Sequence, residues 1–223
     1  VTEEPKQQDQ VSAVTTLELF FDLIFVFTLT QLSRLLTEEL TIAGGIQVVL
    51  IFGILWYMYG GYAWLTNQAP PRQPEQQLLI LLGMAGFLAT AVAIPELFDQ
   101  TGPLFGIGYL VVVVVHLLMF WRSSPTSGVI RLASFNLVAA GLVFAAGLVT
   151  GAGRPLLLIA ALLLQFATPY LGVAPRFVVE PRHFVERHGL LMIVALGETV
   201  IAVGLGVDPT NLDGLVLVTM LMA

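Results

Sequence analysis

The chain has 223 residues, 57% of them hydrophobic and 11% charged, with a mean hydropathy of +0.90. A soluble domain carries roughly 25% charged residues, so this composition excludes one and places the chain in a bilayer. There is no cysteine, which rules out disulfides, iron–sulfur clusters and thiolate metal sites. The net charge of -6 comes without a basic cluster, so neither nucleic acid nor an anionic lipid surface is expected as a partner.

A polar segment, residues 1–15, precedes an apolar region, 16–223. It sets Lys6 among Glu3, Glu4 and Asp9 instead of the basic n-region and cleavage site of a signal peptide, so the first helix is expected to act as its own insertion signal. About 20 apolar residues cross the hydrocarbon core. The sequence predicts seven such spans, at roughly 16–36, 44–66, 77–95, 103–121, 131–150, 154–172 and 184–206, plus the start of an eighth at 212. The fold class is all-α, a polytopic transmembrane helical bundle. The eighth run reaches only about 12 residues before Ala223, too few to span, and the chain starts without methionine, so a longer parent protein is expected.

The breaks have physical causes. Residues 67–75 contain Pro70, Pro71 and Pro74, residues 100–103 contain Gly102 and Pro103, and 123–128 are polar. Thr15-x-x-Glu18 and Thr210-x-x-Asp213 precede apolar runs at capping-box spacing. Short connections predict that helices adjacent in sequence pack as antiparallel neighbours.

In this layout Lys6, Arg72, Arg122, Arg131, Arg176, Arg182 and Arg187 fall on one side and Arg34 and Arg154 on the other. Lys and Arg favour the cytoplasmic side, which puts the N-terminus in the cytoplasm. The helices at 16–36 and 184–206 then both run outward.

A charge at mid-bilayer depth costs about 2.5 kcal/mol or more, so ionisable side chains inside apolar helices are the first functional candidates. Glu18 and Asp22 are four apart and share a helix face; their repulsion calls for a cation between them or a proton on one. Arg187, at similar depth on a parallel helix, is the expected cation, with His183, Glu186 and His188 close in sequence. Arg187, Leu191, Ala195, Glu198 and Ala202 form a narrow stripe of mostly small residues, which lets another helix approach closely. Glu198 lies roughly 18 Å along the axis from Glu186, without a basic residue nearby in sequence, and Gln31 and Gln47 fall at a depth from which they could hydrogen-bond it. His116 and Asn136 are two further polar groups in the cytoplasmic half.

Each candidate has a structural rival. Glu18 can be only a capping glutamate, Asp22 a salt bridge that fixes helix register, Glu186 and His188 headgroup-region residues, and His116 a packing histidine. Glu198, mid-helix, is the hardest to explain structurally. A retinal Schiff base needs an intramembrane lysine, and the chain's lysine is Lys6. His183 and His188 are five apart, so they do not share a face as a zinc-binding i, i+4 pair does; no metal and no other cofactor is expected. No serine occupies a nucleophile elbow, and Gly-x-Gly at 106–108 and 204–206 reads as helix packing or a helix end.

Residues 16–27 (TLELFFDLIFVF) and 183–204 (HFVERHGLLMIVALGETVIAVG), in that order, resemble the bacterial low temperature requirement protein A family. The resemblance implies a polytopic bacterial inner-membrane protein linked to growth in the cold. Because members are longer, it also implies that this chain covers little more than the first half. If the parent has two six-helix halves, Glu18 and Glu186 would hold corresponding positions in parallel repeats.

Three functions fit the constellation. In a proton-linked or ion-linked transporter or channel, Glu198 and the Glu18, Asp22, His183, Glu186, Arg187 and His188 cluster would bind and relay the ion, with the bilayer and protons or small ions as partners. In a non-transporting sensor or scaffold, the cluster would be a structural lock. In a membrane-embedded enzyme, a carboxylate and a histidine would do acid–base work on a lipid. Acids paired with histidines near one face, plus a lone deeper acid, favour the first.

Overall fold

The computed structural model describes residues 14–123, 127–171 and 181–206. They form α1 (Thr16–Glu38), α2 (Ile42–Gln68), α3 (Pro74–Ala93), α4 (Gly102–Ser123), α5 (Ser127–Leu148), α6 (Gly153–Ala167), a 3-10 turn (Thr168–Leu171) and α7 (Pro181–Gly206). No strand occurs among the described residues. The all-helical bundle expected from composition is therefore the observed fold. The second capping box, at Thr210, and the opening of the eighth helix lie outside the described residues.

Local chemistry sets the helix ends. Thr15 caps α1 in a full capping box: Glu18 N–H donates to Thr15 Oγ1 at 3.3 Å and Thr15 N–H donates to Glu18 Oε2 at 2.9 Å. Thr41 caps α2 by accepting from Gly44 N–H at 3.0 Å. Proline acts differently from the expectation that Pro74 belongs to a break. Pro74 and Pro181 are the first residues of α3 and α7, where the missing N–H costs nothing and the fixed φ suits a helix. Both helices thus start three residues earlier than expected, which brings His183 into the first turn of α7. The sixth helix ends at Ala167 rather than 172, and the chain continues as a 3-10 turn that contains Pro169.

Side-chain contacts fix the directions of the helices. Glu18, Asp22 and Thr30 of α1 meet His183, Arg187 and Glu198 of α7 in rising order, so the two helices run parallel. Tyr59, Thr66 and Asn67 of α2 meet His188, Arg187 and His183 in falling order, so α2 runs against α7. Neighbours in sequence are not always neighbours in space. The pairs α3–α4, α4–α5 and α5–α6 pack extensively, but α1 packs on α3 and α7, and α2 packs on α6. Tyr62, buried on α2, reaches Gly83 of α3. The expected antiparallel chain of neighbours is thus corrected at α2–α3 and α6–α7, whereas α1 and α2 do pack on each other.

The core at the α1–α2–α3 junction is aromatic. Phe21 stacks on Tyr62 with ring centroids 5.0 Å apart, Phe25 on Tyr59 at 4.3 Å, and Phe87 meets Phe21 edge-on at 5.2 Å. The α4–α5 crossing is close instead: a methyl group at Gly102 or Gly147 would overlap the other's carbonyl oxygen, the small-residue contact that membrane helices use. Arg154, placed on the outer side at the start of the sixth span from sequence, is buried at the start of α6. Its guanidinium donates to the carbonyls of Ala146, Val149 and Leu97.

Helices α1, α2 and α3, and residues Gly102–Arg122 of α4, are each long and apolar enough to cross a membrane. Leu132–Leu148 and Gly153–Ala167 are shorter apolar stretches.

Candidate functional site

Arg187 is the centre of the buried polar cluster. It sits one turn beyond His183 on α7 and is 1% exposed, against Asp22 at 0% and Glu18 at 3%. Its Nε and Nη2 donate to Asp22 Oδ1 at 3.2 and 3.0 Å, and its Nη1 donates to Thr66 Oγ1 at 2.6 Å and Glu18 Oε1 at 3.4 Å. The rings of Phe21 and Tyr59 lie 5.6 and 5.7 Å from its Cζ, so cation–π attraction adds to the ion pairs. The guanidinium thus fills the space between the two carboxylates, where sequence alone called for a cation or a proton.

The acids are held from both sides. Asp22 Oδ1 also accepts from Tyr59 OH at 3.0 Å, whereas its buried Oδ2 meets no donor among the described residues. Glu18 Oε2 lies 3.5 Å from His183 Nε2, and Asn67 Nδ2 is 3.1 Å from His183 Nδ1. The Asn67 contact anchors the imidazole with Nε2 facing Glu18. Two carboxylates thus share one guanidinium. Glu18 therefore both caps α1 and joins the ion cluster; the capping and cluster readings hold together.

Glu198 lies on the same α1–α7 seam. Eleven residues beyond Arg187 at 1.5 Å each put it about 16 Å further along the axis. Its Oε1 accepts from Thr30 Oγ1 at 3.2 Å. A cavity of about 450 Å3 opens here between Val26, Leu29, Thr30, Ser33, Ala195 and Glu198. This corrects the expected partners, Gln31 and Gln47. One residue turns a helix by about 100°, so α1 presents Thr30 to Glu198 instead of Gln31. Gln47 is on α2, whose contacts with α7 lie at the other end, and its Oε1 is buried without a partner among the described residues.

The remaining candidates separate from the cluster. Glu186 is exposed, so among the described residues it does not share the buried setting of Glu18. His188 is half-buried, its Nδ1 2.8 Å from Phe184 O and its ring against Trp56 and Tyr59. His116 of α4 and Asn136 of α5 are buried against the far side of α2. Sequence reasoning missed Tyr59, Thr66, Asn67 and Thr30. Tyr59, Tyr62 and Thr66 recur at helical spacing in an otherwise apolar α2, and that polar stripe was the available signal.

Fold and site together define an all-helical membrane protein with a buried acid–guanidinium–histidine cluster at the seam of two parallel helices. Residues 13–223 match the family model of the bacterial low temperature requirement A protein (LtrA), and the chain belongs to that family. It is 30% identical over 206 residues to an uncharacterized protein of Rhizobium meliloti (strain 1021), an alignment that covers 84% of this chain and 49% of that protein. The chain thus spans about half the length of this curated relative. No solved structure matches it.

Proposed function

We propose that the chain is part of a proton-linked or ion-linked transporter or channel in the bacterial cytoplasmic membrane. In this reading residues 1–15 are a cytoplasmic segment and 16–223 a membrane domain of seven spans and the start of an eighth. The observation that carries it is the α1–α7 seam, which holds two acidic stations. One is the buried cluster, with one more carboxylate than guanidinium and an undonated oxygen, Asp22 Oδ2, on which a proton can reside. The other is Glu198, on the cavity beside Thr30. Buried ionisable groups of this kind mark ion or proton paths in membrane proteins. The cluster then acts as the closed cytoplasmic gate of the seam.

The test is flux into liposomes that contain the purified full-length protein and an internal pH dye. A pH gradient should drive proton entry above that of empty liposomes, and Glu198→Gln, which keeps shape but cannot titrate, should abolish it without loss of expression. Flux equal to that of empty liposomes with protons, sodium and potassium would overturn the proposal. One observation favours the second reading, a sensor or scaffold: Glu18, Asp22, His183 and Arg187 are each 4% exposed or less, as a structural lock would be. In that case flux is absent while Asp22→Asn abolishes growth in the cold.

A further inference from the structure

On the face of α2 opposite the ion cluster, a cavity of about 310 Å3 lies between α2, α4, α5 and the 3-10 turn. We infer that it is a binding site for an uncharged ring compound bearing carbonyl oxygens, of the quinone class, taken from the bilayer. Among the described residues no charged side chain lines it, which favours a neutral ligand over an ion. Its walls include the rings of Tyr57, Trp64, His116 and Phe120, and Phe120 stacks on His116 with centroids 5.7 Å apart. Flat aromatic walls suit a flat ring.

The polar groups point to carbonyl acceptors. His116 is 3% exposed; the backbone of Gly61 lies beside its ring, but neither ring nitrogen completes a hydrogen bond of good geometry among the described residues. A buried imidazole left without partners costs free energy that a ligand can recover. Asn136 is buried and spends its Oδ1 on the Tyr57 hydroxyl at 3.4 Å, which leaves its amide nitrogen as a second donor. The volume falls at the lower end of small-molecule sites, roughly 300–1,000 Å3, enough for a bicyclic headgroup. Tyr57, Gly60, Trp64 and Leu132 are half-exposed, while His116, Phe120, Asn136 and Thr168 are buried, so entry is from the side and the polar end goes in first.

The test uses the chain in lipid nanodiscs, with Trp56→Phe and Trp121→Phe so that Trp64 alone reports, and 1,4-naphthoquinone as the probe. Expected is saturable quenching of Trp64, with about tenfold weaker binding in His116→Phe, which keeps a ring but no nitrogen. Naphthalene, with no carbonyl, should bind about tenfold more weakly than the quinone. A Cβ added at Gly60 meets nothing within 4 Å and Gly60 lines the cavity, so Gly60→Leu should fill the space, and saturable quenching should be lost. If His116→Phe does not fold, Gly60→Leu and the naphthalene comparison decide. Quenching that rises linearly with probe in every variant, or equal affinity for naphthalene and naphthoquinone, would overturn the assignment.

Discussion

Arg187 Nη2 and Asp22 Oδ1 lie 3.0 Å apart, both side chains sealed from solvent, although 165 residues separate them. The contact joins the two sequence motifs into one structure and sets the register of α7 against α1. Loss of Arg187 strands the buried carboxylates, which typically costs about 3 to 5 kcal/mol, whereas Arg187 without Asp22 keeps Glu18 as a counter-charge. Arg187→Gln should therefore destabilise strongly and Asp22→Asn less, and the double variant should be milder than the two effects combined. Denaturation in detergent measures the cycle, and additive effects would mean that the pair is not coupled.

Thr66 is the less obvious member of the cluster. Its hydroxyl accepts the shortest of the Arg187 hydrogen bonds, at 2.6 Å. Thr66→Val keeps the shape and removes the acceptor, and a hydrogen bond to a charged group is worth about 1.5 to 3 kcal/mol. A loss in that range is expected on unfolding in detergent, with little change in a variant that already carries Arg187→Gln. A full loss in that background would place the effect of Thr66 elsewhere.

Arg154 ties three chain ends together by donating to Ala146 and Val149 at the end of α5 and to Leu97 after α3. Arg154→Met keeps most of the aliphatic stem and leaves these carbonyls without the donor; a loss of about 3 kcal/mol is expected. Arg154→Lys should not restore it, because one ammonium lacks the spread of a guanidinium. Stability within about 0.5 kcal/mol of wild type for the Met variant would contradict the assigned role.

Burial of Arg154 and Arg187 removes one basic residue from each side of the charge count, and the bias toward the Arg72, Arg122 and Arg182 side persists. Reporters fused after Arg122 and Arg182 should therefore behave as cytoplasmic, and one fused after Asp99 as external. The opposite pattern would invert the membrane placement of the ion cluster.

Glu18, Asp22 and Arg187 were legible from sequence because charges inside apolar helices stand out whatever the fold, and the cost of burying them predicts a partner. The capping box at Thr15 was legible for a similar reason, since its chemistry is local. Thr66, Asn67 and Thr30 were not, because uncharged polar residues are inexpensive enough in a helix to carry no clear signal alone.

What the sequence by itself determined was the all-helical membrane class, the order of the ionisable groups along each helix and the identity of the charged pair, since hydropathy and spacing act along one chain. Tertiary structure decided which polar neighbour each group meets. A step of one residue turns a helix by about 100°, enough to exchange Gln31 for Thr30 at Glu198, and the packing of α2 on α6 decides that Gln47 stays away. It also placed His116 on a cavity and Glu186 outside the cluster. Contacts between helices depend on rotation and neighbour choice, and both follow from the side-chain packing of all seven helices together.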